Sequence, residues 1–285
     1  MPNGSAIAPG EKSPLVVTFA QPSGAVLVTE GKGKGKVLWK ELAVTASVVS
    51  VSKKGIVSLP RDPRISDGKT GHVAISVPTH PDLSAELDIP LRYDYNFVTH
   101  FAGISGSNGM SGSDGLDGSS GSPGSLDPDR PSPGGDGSNG SNGTDGVDGG
   151  DGRDAPPITI RVALRSGNHP LLQVGVSAPG HKERFYLVDP QGGSLTVNSN
   201  GGSGGSGGKG GRGGRGGSGG IGTPNGRSGS DGSSGRDGSD GRSGRGGSIT
   251  VNYDPQVKPF LATIQLSNQG GPSPVFEEKP VAPLW

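Results

Sequence analysis

The chain of 285 residues contains no cysteine, so neither disulfides nor thiolate metal sites contribute to it. Aromatic residues are sparse at 4% and hydrophobic residues stand at 28%, which leaves material for one or two small cores. No apolar run reaches membrane-spanning length. No charged start is followed by an apolar stretch and a cleavage site, so neither a membrane anchor nor a signal peptide is expected, and an exported form would be mature or trimmed. His72, His80, His100, His169 and His181 show no metal-ligand spacing, and no nucleophile, base and orienting acid can be assembled. Neither an enzyme nor a cofactor is therefore expected.

What the chain does have is glycine, 57 residues of it, at every third position through two long tracts. Gly103 to Gly124 form one run and Gly134 to Gly152 another; Gly201 to Gly222 read mostly Gly-Gly-X, and Gly226 to Gly247 return to a three-residue period. A period of three is neither 3.6 nor 2. It excludes an α-helix and a pleated strand and points to polyproline II, with about 3 residues per turn and a rise of about 3.1 Å. Each tract turns back on itself, at Ser125 to Pro133 and at Thr223 to Asn225, both rich in turn-forming Pro, Asp and Asn. Four rods in two antiparallel hairpins are expected.

A collagen triple helix needs parallel chains and roughly 15 to 20% Pro or more, yet only Pro123 lies inside the first two rods and none inside the last two. Rods packed side by side, each bonded sideways to its neighbours, satisfy a backbone that has no internal hydrogen bonds. Glycine edges then mark buried sides, with Gly106, Gly115, Gly140, Gly211, Gly214 and Gly232 as packing positions. The remaining positions are sorted. Ile104, Met110, Leu116 and Val147 directly follow a periodic Gly, whereas Asp114, Asp117, Asp136, Asp145, Asp148, Asp151 and Asp154 sit two places after one. Residues 103–154 hold nine Asp against Arg130 and Arg153, a net of −7; residues 201–247 hold Lys209, Arg212, Arg215, Arg227, Arg236, Arg242 and Arg245 against Asp231, Asp237 and Asp240, a net of +4. Overall neutrality hides two oppositely charged hairpins, whose charges repeat about every 9 Å and match within one molecule or between molecules.

The same Asp rows invite a calcium reading, but neighbours on one edge are about 9 Å apart, too far to share an ion at roughly 2.3 to 2.6 Å, so a site would require adjacent rods to converge. Gly210 to Gly217 has the look of an arginine-glycine box, yet the tract lacks stacking aromatics and has acids nearby, which argues against nucleic acid. Ser203 to Lys209 matches a P-loop only in part and lacks its strand-to-helix context.

Outside the tracts, runs rich in Val, Ile and Leu predict strands at 15–19, 25–29, 36–39, 42–51, 72–77 and 83–97, then at 158–164, 171–176, 185–188 and 260–266. The second tract is bracketed by near-copies, Gly193-Ser194-Leu195-Thr196-Val197-Asn198 and Gly247-Ser248-Ile249-Thr250-Val251-Asn252, which are expected to pair and close its base. The expected division is a tail over 1–12, a β-sandwich over 13–100, an acidic glycine hairpin over 101–157, a β segment over 158–199, a basic glycine hairpin over 200–248, a β segment over 249–268 and a Pro-rich tail over 269–285. The fold class is all-β sandwich-like flanks plus a polyglycine bundle, with essentially no α-helix. In the tail, Phe276, Leu284 and Trp285 are candidates to dock on a neighbour.

Gly55 to Pro60 followed by His72 to Val77 is similar to bacterial immunoglobulin-like domains. The period and composition of the tracts resemble bacterial collagen-like surface proteins of the Gly-X-X type, and the rods resemble the polyglycine II bundles of phage tail-fibre adhesins and of a glycine-rich insect antifreeze protein. The resemblance implies a non-catalytic structural protein of a bacterial surface or extracellular assembly. Asp114, Asp117, Asp145, Asp148, Asp151, Arg212, Arg215, Arg236, Arg242 and Arg245 are the charged edges expected to join subunits, together with any uncapped glycine edge of an outer rod, which would act like an exposed β-edge. The alternative is an adhesin that reads a receptor or glycan with its turns, at Leu126, Asp129, Arg130, Pro224 and Asn225.

Overall fold

The computed structural model describes residues 4–21, 23–165, 167 and 169–285. Among them all regular structure is β-strand apart from four 3₁₀ segments. The N-terminal region carries β1 (Lys12–Pro14), β2 (Thr18–Ala20), β3 (Val26–Val28), β4 (Ala43–Ser47), β5 (Ser50–Val51), β6 (Ile56–Ser58), β7 (Gly71–Val77) and β8 (His80–Ile89). They form three small sheets, β1-β6-β5, β2-β3 and β4-β7-β8, around a core that includes Leu15, Trp39, Val57, Val73 and Ile89. Ile7 is fully buried in that core, so the expected tail over 1–12 is part of the domain from Ile7 on; residues 1–3 of it lie outside the described residues. The strand expected over 42–51 breaks at Val48, which turns with φ 66° in a run with no Gly or Pro to signal it. The strand expected over 83–97 ends at Ile89, because Pro90 has no N–H to continue a ladder.

A second domain is a two-layer sandwich. One layer is all parallel, β15-β13-β9, from β9 (Asn96–His100), β13 (Ser194–Asn198) and β15 (Ile264–Ser267). The other is mixed, β12-β11-β10-β14-β16, from β10 (Ile158–Arg165), β11 (Leu171–Ser177), β12 (Arg184–Val188), β14 (Ile249–Tyr253) and β16 (Val275–Glu278). Alternation sets the facing residues: Leu195 and Val197 of one layer meet Ile158, Ile160, Val162, Ile249 and Val251 of the other in one core.

Several boundaries shift accordingly. β9 belongs to this sandwich, with Phe97 and Phe101 in its core, so the first domain stops short of residue 100. The near-copy strands β13 and β14 do not pair; they lie in opposite layers and line the same core. Residues 260–263 form the end of a 3₁₀ segment, Pro255–Thr263, opened by Asp254, whose side chain accepts from the Gln256 N–H. The C-terminal stretch is not a free tail. It supplies β16, and its end covers β11, where Gln173 Oε1 accepts from the Leu284 N–H at 2.9 Å. Trp285 docks on this same chain, edge-on to Phe185 at 5.9 Å, and donates from Nε1 to Asp67 Oδ2 at 2.9 Å.

The glycine tracts grow directly out of this sandwich. The parallel pair β9/β13, ending His100↔Asn198, continues as Phe101 N–H to Asn198 O and Gly103 N–H to Asn200 O. The parallel pair β10/β14 is entered in the same way, through Ala155 N–H to Arg245 O and Ile158 N–H to Ser248 O.

Candidate functional site in the glycine segments

Four segments, residues 103–124, 134–154, 201–222 and 226–245, run side by side as segments one to four. Backbone N–H···O ladders join them with one bond every third residue. Segment one donates to segment three (Gly106 to Ser203 O, 2.8 Å; Gly115 to Arg212 O, 2.7 Å). Segment two donates to segment one (Ser141 to Leu116 O, 2.8 Å) and to segment four (Gly140 to Ser230 O, 3.0 Å). Segment three donates to segment two (Gly211 to Thr144 O and Gly214 to Ser141 O, both 2.9 Å), and segment four donates to segment three (Gly232 to Gly214 O, 2.8 Å). The bonding makes two triangles sharing an edge: segments two and three are central, segments one and four outer. One and three run parallel, as do two and four, since their partner numbers rise together.

Glycine positions follow from this geometry. A Cβ on Gly106 would overlap the Gly150 carbonyl, one on Gly140 the Gly214 carbonyl, and one on Gly232 the Ser141 carbonyl. Segment three is enclosed on two edges, with Gly211 and Gly214 buried. Both outer segments turn their single glycine edge inward, so the four segments present no bare glycine edge. The uncapped glycine edge expected on an outer segment is not there: with one Gly in three, an outer segment buries that side against its neighbours, and its solvent side carries side chains.

The polar residues have a role that sequence reasoning missed. Asp114 and Asp117 Oδ1 accept from the backbone N–H of Arg212 and Arg215 at 2.7 Å. Asp136, Asp145, Asp151 and Asp154 accept from Arg227, Arg236, Arg242 and Arg245 at 2.6 to 2.7 Å, and Asp148 from Ser239. Asp231, Asp237 and Asp240 accept from Gly216, Gly210 and Gly207, while Ser138, Ser141 and Thr144 hydroxyls accept from segment one. The acids thus cap neighbouring amides that the carbonyl ladders leave over. Asn108, Asn139 and Asn142 do the same, and their alternation with Asp at one phase of the triplet was the available signal.

Acidic and basic hairpins therefore meet in register inside one molecule, through Asp carboxylates and Arg main chain. The guanidinium groups are left over. Among the described residues, the ion pair within the four segments is Lys209 Nζ to Asp237 Oδ2 at 2.7 Å, and it holds the Asp237 carboxyl below its ordinary value, helped by the Gly210 N–H. All the assembly-edge residues named from the sequence are exposed and fall on two opposite faces: Asp114, Asp117, Arg212 and Arg215 on the face of segments one and three, and Asp145, Asp148, Asp151, Arg236, Arg242 and Arg245 on the face of segments two and four. Ile104, Met110, Leu116 and Val147 are exposed as well.

Both turns lie together at the far end, joined by Thr223 N–H to Ser132 O and Gly134 N–H to Pro224 O. Leu126 is 64% exposed, and Asp129, Arg130 and Pro224 are exposed beside it. Asn225 is also exposed, but its Oδ1 is occupied by the Gly222 N–H. An open cleft of about 570 Å³ lies between parts of the two β domains, with Arg61, Tyr95, Lys182 and Tyr186 among its walls. Among the described residues no helix is long and apolar enough to cross a membrane. No protein-family model, curated protein or solved structure matches the chain.

Proposed function

We propose that the chain is a non-catalytic structural protein of a bacterial surface or extracellular assembly, in which the four glycine segments form a polyglycine II-like bundle held at one end in a β-sandwich socket. At about 3.1 Å per residue, segments of this length make a rod of roughly 65 Å. The observation that carries the proposal is the set of five backbone ladders, one bond per three residues on every neighbouring pair. Such cross-bonding gives a narrow element stiffness that no single extended chain has, and stiffness with exposed charge suits a spacer or an assembling subunit. The charged faces, and not glycine edges, are the joining surfaces.

Negative-stain electron microscopy over a range of salt tests this. Regular fibres or paired rods that come apart as salt rises are expected. Discrete single particles at every salt concentration would overturn the assembling role and favour an adhesin, a reading that the adjacent turns with exposed Leu126 at the rod tip would then carry.

A further inference from the structure

We propose that two copies of the chain pair side by side and parallel, tips together, through the face made by segments two and four, an inference that rests on the assembling role above. That face carries two charge rows in register. Segment two contributes Asp136, Asp145, Asp151 and Asp154, and the backbone bonds place each one beside an arginine of segment four, namely Arg227, Arg236, Arg242 and Arg245. Every one of these carboxylates uses Oδ1 on the main chain, leaving Oδ2 to accept. Among the described residues none of the four guanidinium groups, with five donors each, makes an ion pair, the pair within the segments being Lys209 with Asp237. With Asp148, which lies beside Ser239, the face holds five carboxylates with a free oxygen against four guanidinium groups, and an acidic row alongside a basic row is complementary to itself.

Symmetry then selects the orientation. A two-fold axis along the rods lays the acidic row of one copy on the basic row of the other at the same height, so Asp145 meets the partner's arginine row at the level of Arg236. A two-fold axis across the rods lays acid on acid and arginine on arginine. Only the first arrangement is attractive, and it keeps both sandwich sockets at the same end. The face is about 60 Å long at about 9 Å per turn. With rods spaced about 5 Å apart, as backbone-bonded strands are, and side chains widening the face to roughly 10 Å, each copy buries roughly 600 Å². Two such faces reach the lower end of specific interfaces, about 1,200 Å² in total. Exposed ion pairs are individually weak, so pairing depends on the whole row and on ionic strength.

The absence of cysteine makes a clean test possible. Asn139→Cys and Ser230→Cys are made in separate copies of the full chain, mixed in equal amounts at low salt and treated with a short bis-maleimide. Parallel pairing predicts a mixed dimer at least about ten-fold more abundant than the dimer of either variant alone, lost near 1 M salt, where the screening length is about 3 Å. In addition, Arg236→Asp with Arg242→Asp is expected to abolish sedimentation as a dimer while leaving the melting temperature unchanged within a few degrees. Absence of the mixed product in a preparation that still forms fibres overturns this face and leaves the assembling role standing. Undiminished dimerisation of the double variant also overturns the face. A monomer at all salt concentrations, by sedimentation of the natural sequence, overturns both.

Discussion

At the residue scale, the third position of each triplet decides whether a backbone can approach. Gly to Ala outside glycine-requiring conformations commonly stabilises by about 0.4 to 1 kcal/mol. At Gly115, whose Cβ would overlap the Ser141 carbonyl, the sign reverses: Gly115→Ala is expected to destabilise by at least about 1 to 3 kcal/mol, the range of core overpacking. Ser111→Ala, on an exposed position of the same segment, is expected to stay within about 0.5 kcal/mol. Denaturant titration of the two variants separates them. The Asp rows offer a second check. Asp237 is held below its ordinary 3.8 first by Lys209 and then by the Gly210 N–H, so its small contribution is present above 3.8 and disappears as pH falls through the lower folded-state value. NMR titration should find the Asp237 carboxyl below 3.8, and in Lys209→Met it should move up part of the way, since Gly210 still donates.

At the element scale, the hairpins need their socket. Ordering backbone costs about 1 to 2 kcal/mol per residue, more for glycine, and a net hydrogen bond returns about 0.5 to 1.5 kcal/mol. An outer segment donates one carbonyl-ladder bond per three residues, so one hairpin alone does not recover its cost. An excised 101–157 peptide is accordingly expected to be disordered by NMR, and Leu195→Ala, emptying a fully buried site between the two sheets, is expected to cost about 2 to 5 kcal/mol and to loosen both hairpins. Much of this layer is legible in the sequence. The glycine period gives the segments and their turns, and alternation in Ile158-Thr159-Ile160-Arg161-Val162 gives β10 with its buried face. Pairing partners are not legible: two near-copies read as a local clasp, because nothing in a single sequence distinguishes strands that bond from strands that line one core from opposite sheets. The C-terminal stretch was hidden for a similar reason, since Leu284 and Trp285 are held by residues more than a hundred positions away.

At the scale of the whole molecule, strand, glycine hairpin, strand occurs twice, and each occurrence adds one strand to each sheet of the sandwich in the same direction. β9 and β13 lead out, and β10 and β14 return. β15 and β16 take the next place in the same two sheets but are joined by only the seven residues 268–274, where a hairpin would otherwise stand. The Asp and Ser row of segment four caps segment three on the side where a further rod would lie. A third hairpin inserted after Gly271 is therefore expected to be accommodated with the fold intact, as judged by solubility and a cooperative melt. Deleting one triplet from all four segments should shorten the bundle without loss of cooperativity. Deleting it from segment one alone should cost more, because only the first change keeps every ladder in register.

The most direct test of the bundle is residue-resolved amide hydrogen exchange by NMR on the intact protein. Protection should recur with a period of three residues, with the Gly109, Gly112 and Gly115 amides slow because each donates to segment three, and the Ser111 and Ser120 amides, which find no acceptor among the described residues, fast. Segment three should be protected at consecutive positions, since Gly211, Arg212 and Gly213 donate to segments two, one and four in turn. Uniformly fast exchange across 103–154 and 201–245, or protection alternating with a period of two, would contradict the account.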